Sequence, residues 1–161
     1  MFDGTLRHLW AAELSQIYPA LKRLEDDGYL SSRESPPAKG PARRVYRRTA
    51  RGTRRLRQWL GASPEMGPLR LGYLGQLCCM AETGGCERTA AFLEELRDLF
   101  RGQLVKYEQV DAEWFRLHPG YPDALPPDLF HAHLTLRAGI TRVEAAMTWC
   151  DESLRRVTKR T

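Results

Sequence analysis

The sequence lacks any apolar run that approaches the roughly 20 residues needed to cross a bilayer. Its first residues, with Asp3, Arg7 and His8 spread among them, also lack the basic-then-apolar order of a signal peptide. We therefore expect a cytoplasmic protein, and in that compartment cysteines are normally thiols rather than disulfides. The expected thiols are Cys78, Cys79, Cys86 and Cys150.

Signatures of catalysis and of metal binding are also missing. The sequence contains no Ser/His/Asp set, phosphate-binding loop or dinucleotide fingerprint. Cys78, Cys79 and Cys86 lack the C-x2-C spacing of a structural zinc site. Buried thiols in a dimer core are therefore favoured over the alternative, a redox or metal sensor. These absences predict a protein that is not an enzyme and that needs no cofactor or metal.

Positive charge is concentrated in the first part of the chain. Residues 1–60 contain 13 Lys and Arg against 6 Asp and Glu, whereas residues 61–161 contain 12 against 14. Between Arg33 and Arg57 there are ten basic residues and a single acidic one, Glu34. Such a field favours a polyanion, and nucleic acid is the commonest polyanion in the cytoplasm. The alternative is an ordinary solvated, charged surface.

The spacing of apolar residues predicts a short helix of about four turns within Leu14–Leu30. Ser15 is the expected N-cap, which would place Pro19 at the edge of the first turn, where its missing N–H costs least. Gly28 can adopt the left-handed conformation that often ends a helix. The stripe expected to be buried consists of Ile17, Leu21 and Leu24.

Two extended segments, Tyr29–Ser35 and Arg43–Thr49, flank a loop rich in Pro and Gly at positions 36–41. This pattern predicts a β-hairpin. Val45 alternates with Arg44 and Tyr46, so we expect one basic face and one partly apolar face.

A further helix is predicted over Ala50–Leu60, with Thr49 as its N-cap. Its inward side is expected to consist of Leu56, Trp59 and Leu60. The segment 61–68, rich in Gly and Pro, is the clearest linker in the chain. We therefore predict a DNA-binding domain at residues 1–60, a linker at 61–68 and a helical dimerisation domain at 69–161.

Helical periodicity dominates the second half, with predicted helices at Leu69–Met80 and Thr89–Arg116 and a long final helix. The final helix keeps apolar residues at alternating steps of four and three over three heptads, which is typical of a helix–helix seam. We expect this seam to join two copies of the chain. Its members are Leu136, Ile140, Val143, Met147, Cys150, Leu154 and Val157.

The order helix, turn, helix, basic hairpin is typical of a winged helix-turn-helix. Such a domain places the N-terminal part of its recognition helix in the major groove, and the wing contacts the flanking backbone or minor groove. Gln16 could bond a base edge, although an ordinary exposed polar residue is the alternative, and Tyr18 is expected to be a half-buried anchor. The candidate DNA contacts are Ser15, Gln16, Tyr18, Pro19, Lys22, Arg23, Lys39, Arg43, Arg44 and Arg47.

These residues also resemble a known family. The stretch QIYPALKRLEDDGYL, the basic RRVYRRTARG and the pair Trp59-Leu60 resemble the core of the PadR family of bacterial transcription regulators. The stretch TLRAGITRVEAAMTWCDESL is similar to the dimerisation helix of its longer members. The resemblance implies a homodimer that binds operator DNA, usually as a repressor, and that in some members responds to aromatic compounds. A pocket for such an effector could use Trp114 or Trp149, for which a simple core position is the alternative.

One departure from the family concerns the start of the chain. Regulators that resemble this sequence begin with a helix of about a dozen residues, whereas Met1-Phe2-Asp3 resembles the end of their second helix. Without that first helix, we expect the apolar sides of Leu21, Leu24 and Leu56 to lose a cover. A rival hypothesis follows, namely an interaction protein that pairs with a relative and has no DNA affinity of its own.

Overall fold

The computed structural model describes residues 14–35, 43–67 and 70–160, which form two compact units, 14–67 and 70–160. The elements are helix α1 (Leu14–Asp26), strands β1 (Leu30–Ser35) and β2 (Arg43–Arg48), helices α2 (Ala50–Leu60) and α3 (Gly72–Cys78), a 3-10 turn (Met80–Thr83), and helices α4 (Gly85–Leu117) and α5 (Pro127–Thr158). This order confirms the predicted mainly α fold, a winged helix-turn-helix with a two-stranded wing followed by helices. None of the described helices is both long and apolar enough to span a membrane.

Helix α1 ends as expected but begins earlier. Gly28 has a φ of 71°, and its N–H donates to the carbonyl of Glu25 at 2.8 Å, while the Tyr29 N–H donates to that of Leu24. At the other end the predicted N-cap is wrong, because Ser15 lies inside the helix. Pro19 is accordingly the sixth helical residue rather than part of the first turn. The described helix already includes Leu14, one residue before the expected cap.

The wing is an antiparallel pair in which Ser32 lies opposite Tyr46 and Glu34 opposite Arg44. Alternation along β2 puts Arg44, Tyr46 and Arg48 on one face of the ribbon. Arg43 and Arg47 share the other face with Val45. The expectation of a single basic face is therefore wrong, because the arginines at 43–44 and 47–48 are adjacent pairs that alternation divides between both faces.

Thr49 joins the base of the wing to the next helix. Its hydroxyl donates to the carbonyl of Gly28 at 2.8 Å and accepts from the N–H of Gly52 at 3.0 Å, which confirms the predicted N-cap. Gly52 is buried, and a Cβ built on it would lie 2.1 Å from the carbonyl oxygen of Tyr29. The absence of a side chain at Gly52 therefore allows α2 to cross the end of the α1–β1 turn closely.

The far end of α2 is more exposed than its sequence suggested. Leu56 is half-buried, but Trp59 is 64% exposed and Leu60 67% exposed, so the expectation that they point inward is wrong for the described chain. Leu24 is also 41% exposed, unlike the half-buried Ile17 and Leu21 of the same stripe. The start of α2 packs closely on the α1–β1 turn at Gly52, whereas the side chains of its last turn are mostly exposed in the described part of the chain.

Helices α4 and α5 pack side by side in opposite directions. Arg97, in the first half of α4, bonds Asp151 near the end of α5 at 3.1 Å. Further along α4 and nearer the start of α5, Gly139 faces the ring of Tyr107. The Tyr121 hydroxyl in the connecting loop donates to Asp111, which fixes that loop on α4. Trp114 is buried in this unit and Trp149 contacts Tyr73, with ring centroids 6.5 Å apart.

The apolar seam of α5 has a partner within its own chain. Leu136, Ile140 and Val143 form a core cluster with Tyr107 of α4, and Cys150 is also fully buried. Periodicity identified the buried stripe, but it could not say which helix covers it, since a hairpin partner and a second chain demand the same spacing. The role of the seam in self-association stays a prediction.

Two predictions lie outside the described residues. These are the wing residue Lys39 and the interpretation of the segment around Met1-Phe2-Asp3.

The other cysteines differ from the buried Cys150, because Cys78 and Cys79 are exposed and Cys86 is half-buried in the single chain.

Candidate nucleic-acid interface

Helix α1 presents a polar side made of the residues predicted to meet DNA. Tyr18 belongs to this side at 61% exposure, so the expectation of a half-buried anchor is wrong. Lys22 forms an ion pair with Asp26 at 3.7 Å, but both side chains are largely exposed, and such pairs contribute little to stability. The ammonium group of Lys22 can therefore exchange this partner for a phosphate at little cost. The other exposed members are Ser15, Gln16, Pro19 and Arg23.

A small polar cluster links α1 to the wing. The Ser32 hydroxyl of β1 donates to one oxygen of Glu25 at 2.5 Å, and the Arg44 guanidinium of β2 donates to the other at 3.2 Å. Arg44 also donates to the Ser32 hydroxyl at 2.8 Å. Three side chains from three elements thus close a ring of hydrogen bonds, which orients the wing relative to α1.

The electrostatics of Glu25 reflect this environment. The hydrogen bond from Ser32 holds the pKa of the Glu25 carboxyl below its usual value, and the positive charges of Arg44 and Lys22 lower this pKa further. Lys22 of the helix and Arg44 of the wing therefore lie near the same carboxylate. Two of the predicted contacts, one from each element, are brought together in this way.

The remaining wing cations are arranged differently. Arg43 and Arg47 are exposed on the ribbon face opposite Arg44, with no ion pair to any described residue. They are available to a polyanion, whereas Arg44 is already engaged with Glu25. Sequence reasoning missed the structural roles of Glu25 and Ser32. Glu25 is part of the family motif quoted above, but no local signal marks Ser32, because its role depends on strand register.

A recognition helix held against a basic two-stranded wing defines the class of winged helix-turn-helix transcriptional regulators. Comparison with known families is more specific. Residues 2–58 match the transcriptional regulator PadR-like family, and residues 78–158 match the family described as virulence activator alpha C-term. The chain belongs to the PadR-like family, which confirms the resemblance noted in the sequence and the expectation of a regulator rather than an enzyme.

Individual relatives agree with this membership. A probable transcriptional regulator of Mycobacterium tuberculosis is 27% identical over 94% of this chain and 82% of its own length. The negative transcriptional regulator PadR of Bacillus subtilis is 26% identical over 98% of this chain and 86% of its own length.

Solved structures share the fold. PadR of Bacillus subtilis in complex with operator DNA superposes with a TM-score of 0.77 at 20% identity, covering 97% of this chain and 86% of that one. Its complex with p-coumaric acid gives 0.72 at 21% identity, covering 98% and 82%. The Vibrio cholerae virulence activator AphA gives 0.76 at 21% identity, covering 99% and 86%.

Proposed function

We propose that this protein is a cytoplasmic, homodimeric repressor that binds operator DNA with α1 in the major groove and the wing on the flanking backbone. The observation that carries the proposal is the Glu25–Ser32–Arg44 ring, because its hydrogen bonds link the recognition helix to both strands of the wing. Cations on both elements then meet phosphates together. The operator complex of the Bacillus subtilis relative supports this mode of binding.

The residues divide by role within this proposal. Gln16, near the start of α1, is the candidate for base recognition, and Arg43 and Arg47 are candidates for phosphate contacts. Arg44 combines a contact with DNA and the positioning of the wing through Glu25. The full proposed DNA surface is Ser15, Gln16, Tyr18, Pro19, Lys22, Arg23, Lys39, Arg43, Arg44 and Arg47.

The two parts of the chain also divide the work. We assign DNA binding to residues 1–60, a linker to 61–68 and self-association to 69–161, a division that the two family matches support. The α5 seam holds α4 and α5 together, while its half-buried members Met147, Leu154 and Val157 are candidates for contact with a second copy. Exposed apolar residues such as Phe115, at 69%, would extend that contact. The complex of the Bacillus subtilis relative with p-coumaric acid supports an aromatic effector for this protein.

Fluorescence anisotropy with a labelled duplex from the region around the protein's own gene tests the proposal. The parent chain should bind, and Arg47→Ala should weaken binding to all sequences alike. Each protomer of the dimer would lose one phosphate contact, so the slope of log affinity against log salt should fall by about 1.8.

The matched control is Arg142→Ala, which removes an exposed cation from the helical part of the chain and should leave the slope unchanged. Absence of binding by the parent chain would favour the rival interaction protein. Equal salt slopes for the parent and Arg47→Ala would remove this arginine from the interface.

A further inference from the structure

Helix α2 carries positive charge with no negative charge to balance it. Its sequence contains four arginines and no Asp or Glu. The imbalance extends to both sides of the helix, since positions 35–64 contain nine Lys and Arg and no acidic residue. All four arginines of the helix are exposed. They are Arg51, Arg54, Arg55 and Arg57.

These arginines form one continuous side of the helix. Helix positions three or four residues apart are neighbours on the surface. Arg54 therefore adjoins Arg51 on one side and Arg57 on the other. Arg55 adjoins Arg51 in the same way, and the buried Gly52 lies toward the opposite side of the helix. We call these four residues the α2 arginine face.

The charges of this face are available to a partner. The side chains of Arg54, Arg55 and Arg57 form no ion pair or hydrogen bond with any residue that the structure describes. Helix α4 differs, because three of its arginines each pair with a carboxylate. Mixed charges of that kind are typical of an ordinary solvated helix. A face of one sign instead favours an extended anion.

The arrangement is unfavourable for the protein alone. Like charges three or four positions apart on a helix repel each other. The first turn of α2 also contains Arg51 and no acidic residue, although the N-terminus of a helix favours negative charge. A polyanion bound along the α2 arginine face would relieve both effects, and this relief would add to the favourable free energy of binding.

The α2 arginine face begins where α1 and the wing meet. Strand β2 ends at Arg48, and a single residue, Thr49, separates it from α2. The Arg51 guanidinium lies 5.1 Å from the centre of the ring of Tyr29, which directly precedes β1. Arg47, an exposed cation of the proposed DNA surface, is four positions before Arg51. The positive surface thus continues along the chain from the wing onto α2.

We propose that the α2 arginine face binds the phosphate backbone of duplex DNA outside the segment contacted by α1 and the wing. Backbone contacts need cations but no particular base. A single strand fits less well, because it binds largely through aromatic rings on which bases stack, and Trp59 lies with Gly52 on the other side of α2. The inference rests on the proposed function, because α1 and the wing place the duplex beside α2.

Hydroxyl-radical footprinting of a DNA fragment from the region around the protein's own gene tests the inference. At saturation the full chain should protect a centre, contacted by α1 and the wing, and further backbone positions at its edges. In Arg54→Ala/Arg55→Ala the protection of the edges should be lost while that of the centre remains. Far-UV circular dichroism verifies that the variant is folded, which we expect because alanine favours helices.

Fluorescence anisotropy measures the same contacts through their salt dependence. The double variant lacks two arginines in each protomer of the dimer, so on the full-length duplex the slope of log affinity against log salt should fall by about 3.6. On a duplex trimmed to the protected centre, the variant and the parent should have the same slope. Arg54→Lys/Arg55→Lys keeps the charges and should keep the parent's slope on both duplexes.

The matched control is Arg155→Ala/Arg156→Ala, another adjacent pair of exposed arginines, near the end of α5. It should keep both the edge protection and the slope. Three results for Arg54→Ala/Arg55→Ala would each overturn the inference: edge protection equal to that of the parent, an equal slope on the full-length duplex, or loss of the centre together with the edges. Stronger competition by a single strand of the same length than by the duplex would also overturn it.

The two proposals fail in different ways. A parent chain that protects no segment of the fragment and binds no duplex would refute the proposed function. A protected centre whose edges do not depend on the α2 arginine face would refute this inference alone.

Discussion

The close approach at Gly52 makes the effect of one methyl group predictable. In Gly52→Ala the new Cβ would lie 2.1 Å from the carbonyl oxygen of Tyr29 and 3.1 Å from Cγ of Arg48. The oxygen belongs to the backbone and accepts the N–H of Thr49 at 3.1 Å, so it cannot move without lengthening that bond. The substitution therefore strains the junction between the α1–β1 turn and α2.

The magnitude follows from opposing effects. Alanine in place of glycine favours a helix by about 1 kcal/mol. Overpacking costs about 1–3 kcal/mol, and weakening the hydrogen bond at Tyr29 costs about 1 kcal/mol. We therefore expect the free energy of unfolding of the winged-helix unit to fall by about 1–3 kcal/mol in Gly52→Ala.

Urea unfolding followed by circular dichroism measures this change, and hydrogen exchange of peptides covering residues 43–60 assigns it to the correct unit. The control is Gly102→Ala in α4, where a Cβ meets nothing within 4 Å. That variant should be more stable by about 0.5–1 kcal/mol. Equal or greater stability of Gly52→Ala relative to the parent would refute the steric reasoning.

Three further predictions concern Glu25, the cysteines and Gln16. The pKa of Glu25 is lowered in the folded protein, so its carboxylate stabilises the fold at pH values above the usual pKa of 4.5. This contribution is lost as the pH falls through the lowered pKa. In urea unfolding, the stability difference between the parent and Glu25→Gln should shrink from about pH 6 to about pH 3, and a constant difference would contradict this. Burial raises the pKa of the Cys150 thiol, so a thiol reagent should label Cys78 and Cys79 well before Cys150, and simultaneous labelling would count against a buried thiol. Gln16→Ala should relax the preference for one operator sequence over its variants in competition anisotropy, and an unchanged preference would exclude base recognition by this residue.

Features with a local cause were predictable from the sequence. Gly28 ends α1 because glycine tolerates a positive φ, and Thr49 caps α2 because its hydroxyl reaches the N–H of Gly52. The start of α1 was harder to predict, since Ser15 has the chemistry of an N-cap but lies within the helix, which already includes Leu14.

Features that depend on distant partners were not predictable. The ring formed by Glu25, Ser32 and Arg44 requires the strand register, which no single segment encodes. The exposure of Trp59 depends on which elements cover the last turn of α2, and its apolar character alone suggested burial. The apolar periodicity of α5 likewise predicted which residues of the helix are buried, but not that α4 covers them.

The two hydrogen bonds of the Thr49 hydroxyl affect how this domain unfolds. One hydroxyl accepts a hydrogen bond that starts α2 and donates another that closes the turn after α1. Fraying of either neighbour therefore deprives the other of a bond, and the hairpin held between them loses its anchor at the same time. Heat should open the helix, the ribbon and the turn in a single step, so that a partly melted wing has almost no population of its own.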